Sequence, residues 1–198
     1  FDYVTINVSS PNTKNLRDLQ KPETLEKILR DVNTINVSLK RKVPIFIKIA
    51  PDLNDSNVTE ILSVCEENNV SGLIATNTTI NPKNLKNPYR FEGGLSGKPL
   101  FNQSNKILRL LAKRKNASTV LIGVGGIISA SDIYEKIMLG ASAVQIYTGF
   151  VYNGPMHIKR MEMELKNLLL SDGYKSIDKA VGLSLIHISS PRDSIASR

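Results

Sequence analysis

The sequence is short of cysteine, histidine, tryptophan and long apolar runs, and each shortage removes a class of function. A single cysteine, Cys65, cannot form a disulfide framework or a cysteine-based zinc cluster. Its setting, VTEILSVCEEN with Val58, Ile61 and Leu62 at helical spacing, predicts a buried structural thiol. Two histidines, His157 and His187, leave almost nothing for a Ser-His-Asp triad or a histidine-rich metal centre, so no metal site is expected. No stretch approaches the roughly 18 apolar residues that span a bilayer, and no signal-peptide pattern is present. The net charge of +8 raises the question of nucleic acid. Yet the lysines and arginines are scattered, and the two small clusters, LKRK (39–42) and AKRK (112–115), are not interleaved with stacking aromatics. Each cluster is expected to close a helix, where cations complement the dipole. No nucleic-acid partner is expected.

What is present is an alternation. Five strand-like runs, Tyr3–Val8, Pro44–Ala50, Gly72–Thr76, Thr119–Val124 and Ala143–Tyr147, are nearly continuous in valine and isoleucine, as in a parallel sheet covered on both faces. Helical patterns fill the gaps, at about Pro22–Leu39, Val58–Asn68, Gln103–Arg114, Asp132–Leu139 and His157–Leu170. Asn57 with Glu60 and Asp132 with Glu135 resemble capping boxes, and Gly140 is a helix stop. The order β-α-β-α implies an α/β fold, either a doubly wound sheet or a (β/α)8 TIM barrel. Five βα units do not close a barrel of eight, so in the barrel reading the chain is incomplete, about the last five units.

In such folds the chemistry sits at the C-terminal ends of the strands. Those positions read NVSSPNT, KIAPD, ATNTT, GVGGI and QIYTG, polar, charged or glycine-rich in every case. NVSSPNT is either a polar turn in which Asn and Ser satisfy their own backbone or an active-site loop, and five such ends in succession favour the second. IGVGGI and the following YTG suit a phosphate, with Gly123, Gly125 and Gly126 letting backbone approach it. The G-x-G-G spacing does not match the dinucleotide fingerprint. Lys48, inside PIFIKIAPD, shares a strand face with Phe46 and Ala50. It must either meet an anion or snorkel to water. TNTT (76–79) suits a planar, carbonyl-rich ligand, or else is an ordinary capping turn.

From Tyr3 to Gly182 the motifs NVSSPNT, KIAPDL, ATNTT, GGLSGKPL, IGVGGI and GASAVQIYT, in that order, resemble dihydroorotate dehydrogenase in its class 2, quinone-linked form. The resemblance implies a TIM barrel with FMN at its mouth, of which this chain is the second, larger part. It implies oxidation of dihydroorotate to orotate in pyrimidine biosynthesis, with FMN as hydride acceptor and quinone (ubiquinone) as the final electron acceptor. Ser10 would be the catalytic base that removes the C5 proton, where class 1 enzymes carry a cysteine. Asn7 would touch flavin and substrate, and Asn12, Asn77 and Thr78 would hold the carboxylate and ring amides of orotate. Lys48 would face the flavin and stabilise its anionic reduced form. Thr76, Ser96, Gly97, Gly125, Gly126, Tyr147 and Thr148 would complete the FMN site. The segment after Ser10, through KNLRDLQ, would be a lid that excludes water.

The family's earlier strands and its helical quinone-tunnel segment, which meets the membrane surface, are expected to precede residue 1. Without them the sheet would have two open edges. The resemblance also implies location at the mitochondrial inner membrane in a eukaryote, or the cytoplasmic membrane in a bacterium. Residues 1–182 are read as barrel and 183–198, LSLIHISSPRDSIASR, as a non-native tail, which also sets His187 aside. Two alternatives remain. One is another FMN-dependent barrel oxidoreductase, either a class 1 dihydroorotate dehydrogenase or an enzyme of dihydropyrimidine or dihydrouridine type. The other is a non-catalytic phosphate-binding or nucleic-acid module.

Overall fold

Apolar runs with side chains on alternate faces pair into one parallel sheet. The computed structural model describes residues 1–81 and 93–187. Its strands are β1 (Val4–Asn7), β2 (Ile45–Ile49), β3 (Gly72–Ala75), β4 (Val120–Val124) and β5 (Ala143–Gln145). They lie in the sheet in sequence order. The helices are α1 (Pro22–Ser38), α2 (Asp55–Glu67), α3 (Phe101–Arg114), α4 (Ala130–Met138), α5 (Thr148–Asn153), α6 (Pro155–Ser171) and α7 (Leu183–His187). A doubly wound sheet reverses its strand order at a switch point. This one never reverses, so right-handed crossovers carry α1 to α4 over a single face. That is the winding of a barrel wall.

The two faces of the sheet hold different clusters. Ile45, Ile47, Ile49, Leu73, Ala75 and Leu121 point to the helices and pack with Leu25, Leu29, Val58, Ile61, Ile107, Leu108 and Leu111. Removing each such large side chain from water contributes about 1.5–3 kcal/mol. A second cluster joins α4 to α6 through Ile133, Ile137, Met161, Leu165 and Leu169. On the opposite face Phe46, Ile74 and Ile122 form a small patch with Val124. Lys48 shares that face, in register with Asn7 on one side and Ile74 on the other. The polar strand ends therefore open on the face opposite the helix-packed core.

The expected elements are all present, with shifted ends. α2 starts earlier than the valine pattern suggested, because the Asn54 side chain accepts from Asn57 N (2.8 Å) and so acts as the cap. Asn57 is inside the helix. Likewise Ser129, not Asp132, caps α4, and Asp132 completes the box by accepting from the N–H groups of Ile128 and Ser129. α3 and α6 also begin two residues before the expected Gln103 and His157, and β5 ends at Gln145. α5, which begins at Thr148 inside YTG, was not expected. Of the basic clusters, Lys113 and Arg114 lie in the last turn of α3, but α1 ends at Ser38. Residues 39–42 therefore fall in the turn beyond it. Cys65 is buried, as its spacing implied, and burial together with Glu66 pushes its thiol up to about 12. In the closing stretch, Ser184 Oγ donates to Met138 O (2.6 Å). Residues 188–198 of the suspected tail lie outside the described residues.

Candidate active site

The loop after β1 turns on its own side chains. Asn7 Oδ1 accepts from Ser9 Oγ (2.8 Å) and from Ser9 N (3.3 Å), and Asn12 N donates to Ser10 Oγ (3.2 Å). Such bonds let a chain leave a strand without wasting backbone donors. The same atoms also reach across the sheet. Asn77 Nδ2, at the end of β3, donates to Ser9 Oγ (3.0 Å) and to Asn7 Oδ1 (3.2 Å), while Asn77 Oδ1 accepts from Thr78 N (2.8 Å). NVSSPNT is thus both a self-satisfied turn and one wall of a polar cluster. Ser9 is fully buried and structural, whereas Ser10 is partly exposed. Among the described residues no carboxylate or imidazole is bonded to Ser10 Oγ.

Beside this cluster is a cavity of about 190 Å³ at the ends of β2 to β5. Lys48, Thr76, Asn77, Thr78, Ser96, Gly97, Gly125, Gly126, Tyr147 and Thr148 all line it. Asn7 adjoins it through its bond to Asn77, whereas Ser10 and Asn12, bonded to each other, are not among the lining residues. Lys48 is the one cation among its described lining residues, half-buried, and burial pulls its ammonium below the usual range. Among the described residues Lys48 has no ion pair, and the lining contains no carboxylate. An unpaired ammonium among hydroxyl and amide donors calls for an anionic, acceptor-rich ligand.

The glycines divide by role. Gly125 and Gly126 take φ of 109° and 75°, values L side chains avoid. A Cβ on Gly126 would lie 2.5 Å from Phe101 Cβ and 2.7 Å from Phe101 N, so this turn must pass bare against the start of α3. Gly97 (φ 77°) packs on the methyl of Thr148, whose hydroxyl donates to Ser96 Oγ (3.0 Å), joining two of the lining loops. Gly123 does not belong to the cradle. It sits in β4 on the helix-facing side, where a Cβ would come 3.0 Å from Lys136 Cδ. It is glycine to admit a buried lysine, not a phosphate.

Three residues that the sequence reading left without a role support the site. Arg17, in the 3-10 turn Leu16–Gln20, pairs with Asp52 (2.8 Å) and also bonds the carbonyls of Ser9 and Thr78. Lys136, fully buried, donates to Asn105 Oδ1 (2.6 Å) and Ser104 Oγ (2.9 Å), and Ser104 Oγ donates to Gly125 O (3.2 Å). Asp52 stood in the quoted KIAPD motif, so its presence at a strand end was a signal. Arg17 lay in the KNLRDLQ segment read as a lid and Lys136 in an amphipathic helix, and neither carried a signal of its own.

A flavin mononucleotide fits this donor set. The glycine turn and the hydroxyls of Ser96 and Thr148 suit a phosphate, and Lys48 suits the electron-rich ring. Comparison with known proteins identifies the family. The dihydroorotate dehydrogenase family pattern matches residues 1–169, and the chain belongs to that family. It is 46% identical over 182 residues to a protein of Cereibacter sphaeroides named dihydroorotate dehydrogenase (quinone). It is 47% identical over 169 residues to the protein of that name from Christiangramia forsetii. These alignments cover 91% and 83% of this chain and 51% and 50% of the relatives, so the chain spans about half their length. A ligand-free crystal structure of the Eimeria tenella enzyme superposes with a TM-score of 0.86 at 36% identity, covering 92% of this chain and 55% of that one. The fold is therefore part of an α/β barrel of that kind.

Proposed function

We propose that this chain carries the substrate and flavin-phosphate side of a quinone-linked dihydroorotate dehydrogenase. The observation that carries the reading is the junction of the Asn7–Ser9–Asn77 cluster with a cavity lined by Lys48. FMN, when bound, supplies the acceptor for the hydride leaving C6 of dihydroorotate. The C5 proton goes to Ser10 Oγ, and the electron pair of that C–H bond becomes the C5–C6 double bond of orotate. A neutral hydroxyl gains a proton only as it gives up its own. Because no side-chain base among the described residues is bonded to Ser10, that proton leaves through water at the partly exposed loop. Asn7, Asn12, Asn77 and Thr78 orient the carboxylate and ring amides by hydrogen bonds, and Lys48 balances negative charge on the ring. Gly97, Gly125, Gly126, Ser96, Tyr147 and Thr148 hold the phosphate end, and Thr76 contacts the ring.

Quinone and the membrane surface would engage a region outside this chain. No helix among the described residues is long and apolar enough to cross a membrane. The class 2 reading places the protein at the mitochondrial inner membrane in a eukaryote and at the cytoplasmic membrane in a bacterium.

The test is a chimaera that joins this chain to the N-terminal half of the Cereibacter sphaeroides relative, with that intact relative as control. Anaerobic dihydroorotate should bleach bound flavin, and a soluble ubiquinone should restore the absorbance. Flavin that stays oxidised would redirect the reading to a barrel oxidoreductase with another substrate. A folded chimaera that binds no flavin would refute the cavity assignment.

A further inference from the structure

We propose that Arg17 and Asp52 are a positioning pair that sets the Ser10 loop against the Asn77–Thr78 loop; this rests on the reading of those loops given above. One guanidinium makes three bonds in three directions. Nε donates to Ser9 O (3.1 Å), Nη2 to Thr78 O (2.9 Å) and Nη1 to Asp52 Oδ2 (2.8 Å). The first carbonyl belongs to the peptide that enters Ser10, and the second to the residue that follows Asn77. Arginine alone has a planar fork that can serve three acceptors at fixed angles.

Asp52 extends the connection. Its Oδ2 also accepts from Ile80 N (3.1 Å), and its Oδ1 accepts from Thr79 Oγ1 and from Gln103 Nε2 (3.1 Å). Gln103 in turn donates to Pro51 O (3.0 Å). The ends of β1, β2 and β3 and the first turn of α3 are therefore joined through two side chains, each about one-fifth exposed. A pair so shielded, with every charge hydrogen-bonded, resists the screening that weakens surface pairs.

The turn that carries Arg17 is itself anchored. Gln20 is buried, its Oε1 accepts from Ala50 N (2.9 Å) and its Nε2 donates to Arg17 O (3.3 Å). The lid expected over the whole of residues 11–20 thus has an anchored base at Leu16–Gln20. Arg17 couples that base to both substrate loops.

Amide hydrogen exchange on this chain tests the pair without flavin or turnover. In Arg17→Met, exchange at Asn12, Thr78 and Thr79 should rise tenfold or more, while Leu73 and Leu121 in the sheet keep their rates. Arg17→Lys keeps a charge for Asp52 but not the fork, and should behave like Arg17→Met at Asn12. Asp52→Asn should release Thr79 and Ile80, and the double variant should exceed neither single variant by much. Unchanged exchange at both loops, or an equal rise throughout the sheet, would overturn the proposal. In the flavin-loaded chimaera, Arg17→Met should lower kcat/KM for dihydroorotate at least tenfold with flavin content unchanged, and unaltered kinetics would also overturn it. If the unsubstituted chimaera is not bleached by dihydroorotate, the function is refuted, and the exchange rates still decide the pair.

Discussion

Lys136 offers the sharpest test of the energetics. It is wholly buried on α4, bonded to Ser104 and Asn105, with Nζ 5.1 Å from the centre of the Phe101 ring. Burial pulls its ammonium down to about 7, against the opposing pull of Glu135 and Asp132 and with a small push from Lys98. In the unfolded chain a lysine titrates near 10.4. Between those values the unfolded chain holds a proton that the folded chain has lost, so this group makes stability rise with pH from about 7 to about 10. Below pH 7 the penalty of a buried ammonium is complete. A displacement of that size corresponds to ~5 kcal/mol. The bonds to Asn105 Oδ1 and Ser104 Oγ favour the ammonium and reduce the expected change to about 2–4 kcal/mol. Lys136→Met removes the charge and keeps much of the volume, but leaves Asn105 Oδ1 short of a donor, at a cost of about 1–3 kcal/mol. Urea unfolding followed by circular dichroism at pH 6 and pH 9.5 measures both effects. At pH 9.5 the variant should be less stable by ~1–3 kcal/mol, and at pH 6 the difference should close or reverse. Cys65 and Tyr134, both pushed up to about 12, make the chain less stable at high pH, but they act on both proteins and cancel in the difference. A gap that is the same at both pH values would refute the account of Lys136.

Further outcomes follow from single groups. Lys48→Met should raise the melting temperature of the flavin-free chain by a few degrees, about 1 kcal/mol, because an unpaired, desolvated ammonium is removed. It should also weaken flavin binding at least tenfold, and a lower melting temperature with normal flavin affinity would contradict the site. Gly126→Ala should cost ~2–4 kcal/mol, from positive φ together with collision with Phe101, read as a lower urea midpoint; a neutral effect would mean the turn can shift. Ser10→Ala in the chimaera should retain flavin yet lose ~100-fold or more in flavin reduction rate, and near-normal reduction would remove Ser10 as the base. Cys65 should resist a thiol reagent at pH 8 until urea unfolds the chain, and rapid labelling of the folded protein would deny its burial.

The winding of the fold was legible because it is carried by local pattern. Strands such as PIFIKI need no knowledge of their neighbours to read as buried, and the helices between them announce themselves by period. Helix starts were less legible, since Asn54 and Ser129 cap from outside the apolar pattern, on residues equally at home in a turn. Gly123 misled for a related reason. Within IGVGGI all three glycines look alike, and only the register of β4 turns one toward α4 and two toward the cavity. Residues that line the cavity were recoverable because strand ends concentrate polar groups at fixed places in such folds.

Residues that hold the liners in place follow another logic. Arg17 acts on Ser9, Asp52 and Thr78 at separations of 8, 35 and 61 residues, and Lys136 reaches Gly125 only through Ser104. On their own elements these are an arginine in a polar turn and a lysine in an amphipathic helix, the commonest places for either. What distinguishes them is that folding brings unpaired carbonyl and amide oxygens to their side chains, a property of the packed loops rather than of the residues. A loop rich in Asn, Ser and Gly supplies ligand donors, but its backbone has little side-chain bulk to hold it. The long cations at its back provide that restraint, and the spacing of the donors is only as exact as those cations are fixed.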